Sequence, residues 1–161
     1  MLVKRAMSKN VVSVSVPGNR EKVLDLMRKE DKAVLPVVKG DTKQLVGLIT
    51  RSDLIVNPDE EHIAILMSTD LVTASPDDDV KDVAKKMIDN NVRRVPVVDD
   101  NGDLVGIITS FDLVSNALIK LESDDPVENF MITTVPTTWY KTPLNVAFET
   151  MKQFGLKSVL A

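Results

Sequence analysis

Cysteine is missing from the whole chain, and histidine occurs once, at His62. The first absence excludes disulfides, thiol nucleophiles and cysteine-based zinc sites, and it fits a cytoplasmic address. The second rules out a multi-histidine metal centre within one chain, and any serine-histidine-aspartate arrangement would rest on His62 alone. Aromatic residues make up only 4% of the 161 positions and the net charge is −4. That balance offers nucleic acid no overall attraction, although a local basic patch around Lys4, Arg5, Arg93 and Arg94 stays open. No apolar run approaches the roughly 18 residues of a membrane span, and the opening MLVKRAMSKN is too short and too charged for a secretory signal. With 43% hydrophobic and 27% charged residues the composition is globular, and it leans away from hydrolytic enzymes.

What the chain has in place of these features is repetition. GLITRSD, from Gly47 to Asp53, returns as GIITSFD, from Gly106 to Asp112, with glycine, threonine and aspartate kept in register. Upstream, Met7, Met67 and Met131 each close a short amphipathic stretch (LVKRAM, IAILM and VENFM). A brief extended run follows, Val11 to Val14 in the first copy and Leu71 to Ala74 in the second. A proline then opens a helical pattern at Pro17, Pro76 and Pro143. Ser75-Pro76-Asp77-Asp78 reads as an N-cap serine, a proline at the first helical position and acids in the first turn. Apolar faces come next, at Val23, Leu24, Leu26 and Met27, at Val80, Val83, Ala84 and Met87, and at Val146, Ala147 and Met151. Strands are expected at Leu35 to Val38 and Val95 to Val98, with return strands at Leu45 to Thr50 and Leu104 to Thr109. Asp100-Asn101-Gly102-Asp103 reads as a tight hairpin, since Asn-Gly tolerates positive φ. A last helix starts near each motif aspartate.

Each full unit thus reads strand, helix, strand, strand, helix, an α+β fold with a right-handed parallel crossover and an antiparallel neighbour. The repeats span 1–57, 62–121 and 125–161, joined by polar, proline-containing segments at 57–61 and 122–126. A unit of about 60 residues is marginal alone. The two complete copies are therefore expected to pack sheet to sheet around a pseudo-twofold axis, with helices outside. The third copy stops where Ser158-Val159-Leu160 matches the strand before the hairpin. It reads as the front half of a repeat in a piece of a longer protein, because a natural terminus there would leave a sheet edge unpaired.

With these residues in hand, the chain resembles the CBS domain family, named after cystathionine β-synthase, and in particular its tandem pair, the Bateman module. Leu35-Pro36-Val37-Val38 followed by Gly47 to Asp53, and Arg94 to Val98 followed by Gly106 to Asp112, carry the resemblance. It covers two full units and the front half of a third. It implies a regulatory module that binds adenosine-containing ligands such as AMP, ADP, ATP or S-adenosylmethionine between repeats. It implies no chemistry of its own, no other cofactor, and dimerisation into flat discs, hence a homodimer. By the same resemblance Asp53 and Asp112 accept hydrogen bonds from ribose hydroxyls, while Thr50 and Thr109 lie by the ribose or phosphate. Further contacts fall two and four residues before each strand proline, at Lys32 and Val34 and at Val92 and Arg94. Ser13 and Thr73, in the first strand of each unit, would face the adenosine.

Each of these residues also has a plainer reading. Thr-x-x-Asp ahead of an apolar run is a helix capping box, and the two roles are compatible because the carboxylate has a second oxygen. Gly47 and Gly106 would let a flat ring approach the backbone. Arg93 and Arg94 form either a solvated turn or, at Arg94, a phosphate clamp. Ser13 and Thr73 are either ligand contacts or the outward polar residues of half-buried strands. Arg51 in the first copy stands opposite Ser110 in the second, so two unequal sites are expected. Asp77-Asp78-Asp79 reads as helix-start chemistry rather than a metal cluster. The methionines read as packing, His62 as solvent-facing, and Trp139-Tyr140 as cover for a surface.

Four functions therefore compete. The leading one is an adenosine-nucleotide sensor, with a ligand-free dimerisation scaffold as the alternative. An enzyme is disfavoured by the lack of a metal-ligand cluster and of a nucleophile-base pairing. Nucleic-acid binding is disfavoured by the acidic balance and the scarcity of aromatics. No membrane partner is implied.

Overall fold

The computed structural model describes residues 1–118, 125–129, 131, 133–156 and 158–161. The polar joint expected at 122–126 lies for the most part outside the described residues. The chain divides into two compact units, Met1–Glu122 and Ser123–Ala161.

In the first unit a 3-10 turn (Val3–Arg5) leads to β1 (Val14–Val16), α1 (Arg20–Lys29), β2 (Val34–Lys39), β3 (Leu45–Thr50) and α2 (Arg51–Val56). β2 runs parallel to β1 and antiparallel to β3. The second repeat follows with α3 (Ile63–Leu66), α4 (Val80–Asp89), β4 (Arg94–Val98), β5 (Leu104–Thr109) and α5 (Ser110–Leu118). β4 and β5 are antiparallel. In place of a full first strand, this repeat has one parallel bridge, from Ala74 to Val97. The mixed α+β architecture and both return strands match the sequence pattern residue for residue.

The starts of α1 and α4 do not match it, whereas α2 and α5 begin at the motif and the third helical pattern begins at Pro143, as expected. α1 is capped by Asn19, whose side chain accepts the Lys22 N–H at 3.1 Å, and α4 by Asp79, which accepts the Lys81 N–H. Both begin after the prolines. Ser75 and Asp78 bond each other instead, Ser75 N–H to Asp78 Oδ2 and Asp78 N–H to Ser75 O, each at 3.1 Å. That reciprocal pair closes a turn ahead of the helix and moves Pro76 out of it. β1 likewise lies later than the expected run from Val11, because only Val14 to Val16 reach β2. In the 99–103 hairpin Gly102 alone takes positive φ, at 81°. Asp99 Oδ1 accepts the N–H groups of Asn101 and Asp103 and fixes the rest of the turn.

Helix ends follow one rule in three places. Asp31 (φ 48°), Asn91 (φ 51°) and Gly155 (φ 61°) are left-handed. The next N–H in each case bonds back to a methionine carbonyl: Lys32 to Met27, Val92 to Met87, Leu156 to Met151. This is the Schellman stop, and two of its three left-handed residues are not glycine.

The two repeats are joined by exchange. Val3 and Ala6, at the head of repeat 1, are buried in the core of repeat 2 with Val83, Met87, Val95 and Ile108. Ile63 and Leu66, at the head of repeat 2, are buried in the core of repeat 1 with Val23, Met27, Leu35 and Ile49. Backbone bonds follow the same crossing: Ser8 pairs with Ile107 of β5, and Ser68 with Leu48 of β3. The hairpins close the axis, Leu45 N–H to Gly102 O at 3.1 Å and Leu104 N–H to Lys43 O at 2.8 Å. Neither core is complete within its own stretch of sequence.

The second unit, described by itself, has a 3-10 turn at Val127–Asn129 and a helix, α6, at Leu144–Gln153 with Pro143 as its N-cap. A parallel bridge joins Thr137 to Leu160, at the same spacing as Val14 to Val37 and Ala74 to Val97.

Candidate functional site

The repeated motif spans the end of a return strand and the first turn of a helix. At the second copy, Asp112 Oδ2 accepts the Thr109 N–H at 2.8 Å and the Thr109 hydroxyl at 2.6 Å, while Thr109 Oγ1 accepts the Asp112 N–H at 3.2 Å. The first copy repeats this at Thr50 and Asp53, with 2.8, 2.8 and 3.2 Å. Both are capping boxes with Asp in the third position. The box engages one carboxylate oxygen and leaves Oδ1 outside it. Each threonine hydroxyl has spent its only proton on the aspartate, so towards any ligand it can act only as an acceptor. The threonines therefore orient the carboxylates.

Asp112 and Thr109 line a cleft of about 320 Å³ within the first unit. Its opposite wall is the turn after α1 and the start of β2, from Asp31 to Pro36, which contains the expected contacts Lys32 and Val34. Arg94 enters from the second repeat, and Ser8, Asn10, Val11 and Val12 come from the exchanged lead segment. Lys32 and Arg94 are exposed, and neither has an ion-pair partner among the described residues. The site thus combines an apolar slot (Val11, Val12, Val34, Pro36, Ile107), an acceptor in Asp112 and two cations. Its volume lies at the small end of the usual ligand range of about 300–1,000 Å³.

Other expected contacts lie elsewhere. Val92 lines an outer groove with Ala84, Ile88, Ser110 and Val114, formed by α4 and α5. Ser13 lines a smaller cavity near the first hairpin. Thr73 is half-buried, and its carbonyl accepts the Lys86 ammonium at 3.4 Å. Arg51 turns to the end of α1, 3.8 Å from Asp31 and 3.5 Å from the Met27 carbonyl, and is not among the cleft-lining residues. The glycines answer to a different partner from the one expected. A Cβ on Gly47 would meet the Met67 sulfur at 2.6 Å, and one on Gly106 would meet Met7. The close approach that these glycines permit is therefore made by the methionine of the opposite repeat, and no room is left there for a flat ring.

Sequence reasoning missed Ser8, Asn10 and Asp31. Ser8 had a signal, since Met7-Ser8 recurs as Met67-Ser68, but only the exchange shows which cleft it joins. The acidic run Asp77 to Asp79 points three ways. Asp77 pairs with Lys4 at 2.6 Å, Asp78 with Lys86 at 3.1 Å, and Asp79 caps α4. Partial burial pushes the Asp78 carboxyl up, but the Ser75 N–H and the Lys86 ammonium outweigh it and hold it below its ordinary value. His62 is exposed and contacts Glu60 at 3.1 Å. Among the described residues no group of three or more histidine, cysteine or carboxylate side chains could hold a metal, and no helix is long and apolar enough to cross a membrane.

The chain matches the CBS domain family model twice, over residues 3–59 and 61–118. Among solved structures, the CBS domain pair of protein MJ0100, in complex with 5′-methylthioadenosine and S-adenosyl-L-methionine, is 32% identical. It superposes with a TM-score of 0.68 over 75% of this chain and 98% of that one. Protein MJ1225 from Methanocaldococcus jannaschii, 20% identical, covers 100% of this chain and 66% of its own at a TM-score of 0.82, a likeness of fold. The uncharacterized protein MJ1426 of the same organism is 32% identical over 152 residues, 71% of this chain and 89% of the relative. Against two other curated relatives the chain spans less than half of their length, 43% and 44%. Two family matches, on the two repeats that the exchange locks together, lead to one conclusion: this chain belongs to the CBS domain family.

Proposed function

We propose that the chain is a regulatory module that binds an adenosine-containing ligand, an adenine nucleotide or an S-adenosylmethionine-type molecule, in the Asp112 cleft. The observation that carries this reading is the convergence, on one slot, of the Asp112 carboxylate, Lys32, Arg94 and apolar walls from both repeats. The base lies against Val12, Val34, Pro36 and Ile107, and Asp112 Oδ1 accepts from the ribose edge. Lys32 and Arg94 meet a phosphate or carboxylate. A CBS pair with 32% identity carrying methylthioadenosine and S-adenosylmethionine supports the ligand class. The Asp53 side of the pseudo-dyad is the lesser site, because the counterpart of Lys32 there is the uncharged Val92, which lines the outer groove instead.

The module works without catalysis. Ligand seated between the repeats favours the arrangement that it binds more tightly, and only by that difference in affinity. Its setting is the cytoplasm, and it acts as a homodimer. Calorimetric titration with AMP, ATP, S-adenosylmethionine and methylthioadenosine tests the reading. At least one should give saturable heat near one equivalent per chain, whereas silence from all four with folded protein removes the proposal.

A second reading, a dimerisation scaffold that needs no ligand, draws on the capping boxes, which give Thr-x-x-Asp a complete structural role. The apolar groove between α4 and α5, with Ile88 78% and Phe111 75% exposed nearby, would be its interface. It predicts an oligomeric state indifferent to substitution at Asp112.

A further inference from the structure

A second cavity, of about 180 Å³, lies beside the first hairpin of repeat 1. It is lined by Lys9, Ser13, Thr42 and Lys43 over a floor of Val11, Val38 and Leu104. Val11 also lines the Asp112 cleft, so the two cavities adjoin through the lead segment. No lining residue is acidic, and neither lysine is in an ion pair among the described residues.

We propose that this cavity is an oxyanion subsite that takes a phosphate-type group between Lys9 and Lys43. Both lysines are exposed at the cavity, and an anion with several acceptor oxygens can be met by both ammonium groups at once. The Ser13 hydroxyl supplies a neutral donor. Thr42 acts through the hairpin. Its hydroxyl donates to the Lys39 carbonyl at 2.6 Å and accepts the Gln44 N–H at 3.2 Å, which fixes the turn that carries Lys43. The pseudo-symmetric positions in repeat 2 are Thr69, Thr73, Asn101 and Gly102, with no cation among them. The positive pair is therefore particular to one side of the dyad and not a by-product of the repeat. The volume suits phosphate or pyrophosphate and is too small for a nucleoside.

The phosphate group can arrive as a free anion or as the terminal phosphates of a nucleotide in the adjoining cleft. The second source rests on the adenosine reading above; the first does not. The test titrates pyrophosphate, AMP and ATP into the full chain and into a Lys9→Ala/Lys43→Ala variant whose melting is shown to be unchanged. Saturable pyrophosphate binding lost in the variant supports the free-anion source. If pyrophosphate alone is silent, the nucleotide source is supported by an ATP-to-AMP affinity ratio that falls about tenfold or more in the variant while AMP affinity holds. Pyrophosphate binding without AMP or ATP binding sinks the nucleotide source and leaves the subsite standing; the adenosine reading falls only if S-adenosylmethionine and methylthioadenosine are silent as well. An unchanged ATP-to-AMP ratio together with no pyrophosphate binding, or pyrophosphate binding equal in both proteins, overturns the subsite.

Discussion

Ile63→Ala will destabilise the first repeat, although Ile63 lies at the head of the second. Its side chain is fully buried among Val23, Met27, Leu35 and Ile49. Truncating it removes transfer energy and leaves a cavity, a loss of about 2–5 kcal/mol. Against a typical domain stability of about 5–15 kcal/mol, that is a large fraction. Ile65, two residues on and 69% exposed, is the internal control. Its replacement by alanine should move stability by no more than about 0.5 kcal/mol. Chemical denaturation measures both, and hydrogen exchange locates the damage. Amides of β2 and β3, in repeat 1, should lose protection in Ile63→Ala before those of β4 and β5. Faster exchange confined to repeat 2 would contradict the exchanged cores.

Asp112→Asn will separate the structural role of the motif from its binding role. The amide oxygen can still accept the Thr109 N–H and hydroxyl now taken by Oδ2. The start of α5 should then survive with a loss of about 1 kcal/mol or less. Towards the cleft, however, the amide NH2 replaces Oδ1. A donor then faces the ribose hydroxyls, and the charge is gone. Hydrogen bonds to a charged partner contribute about 1.5–3 kcal/mol each, so adenosine-ligand affinity should fall at least about a hundredfold for a ribose edge held by two of them. Asp53→Asn should leave binding at the Asp112 cleft within a few-fold of the parent. Equal losses at both positions would mean that the two sides are equivalent, contrary to the asymmetry set by Lys32 and its uncharged counterpart Val92.

Much of the fold could be read from local pattern. The return strands alternate and end on Thr-x-x-Asp, a short-range device, and their bounds are those the sequence predicts. Helix starts were less legible because two signals competed. Pro76 invites a first turn, yet the Ser75–Asp78 bonds and the Asp79 cap postpone it. Helix ends were hidden for another reason, since Asp31 and Asn91 take the left-handed geometry usually signalled by glycine. The exchange of lead segments was beyond pattern altogether. Nothing local in LVKRAM or IAILM says which core takes Val3 or Ile63, and only a long-range contact assigns each to the other repeat. The same limit governed the site. The motif marks Asp112, and the offsets implied by the family resemblance mark Lys32, Val34, Val92 and Arg94, but that all of these except Val92 share one cleft follows from the pseudo-dyad. Gly106 shows the converse, a residue rightly marked as a close approach whose visitor is Met7.

A structure of the chain with whichever adenosine ligand gives the tightest titration tests the central claim most directly. The account predicts a ribose hydroxyl within about 3 Å of Asp112 Oδ1, the base between β2 and Ile107, and the Thr109 bonds to Oδ2 unbroken. A ligand bound elsewhere, with the Asp112 cleft closed by its own side chains, would contradict it.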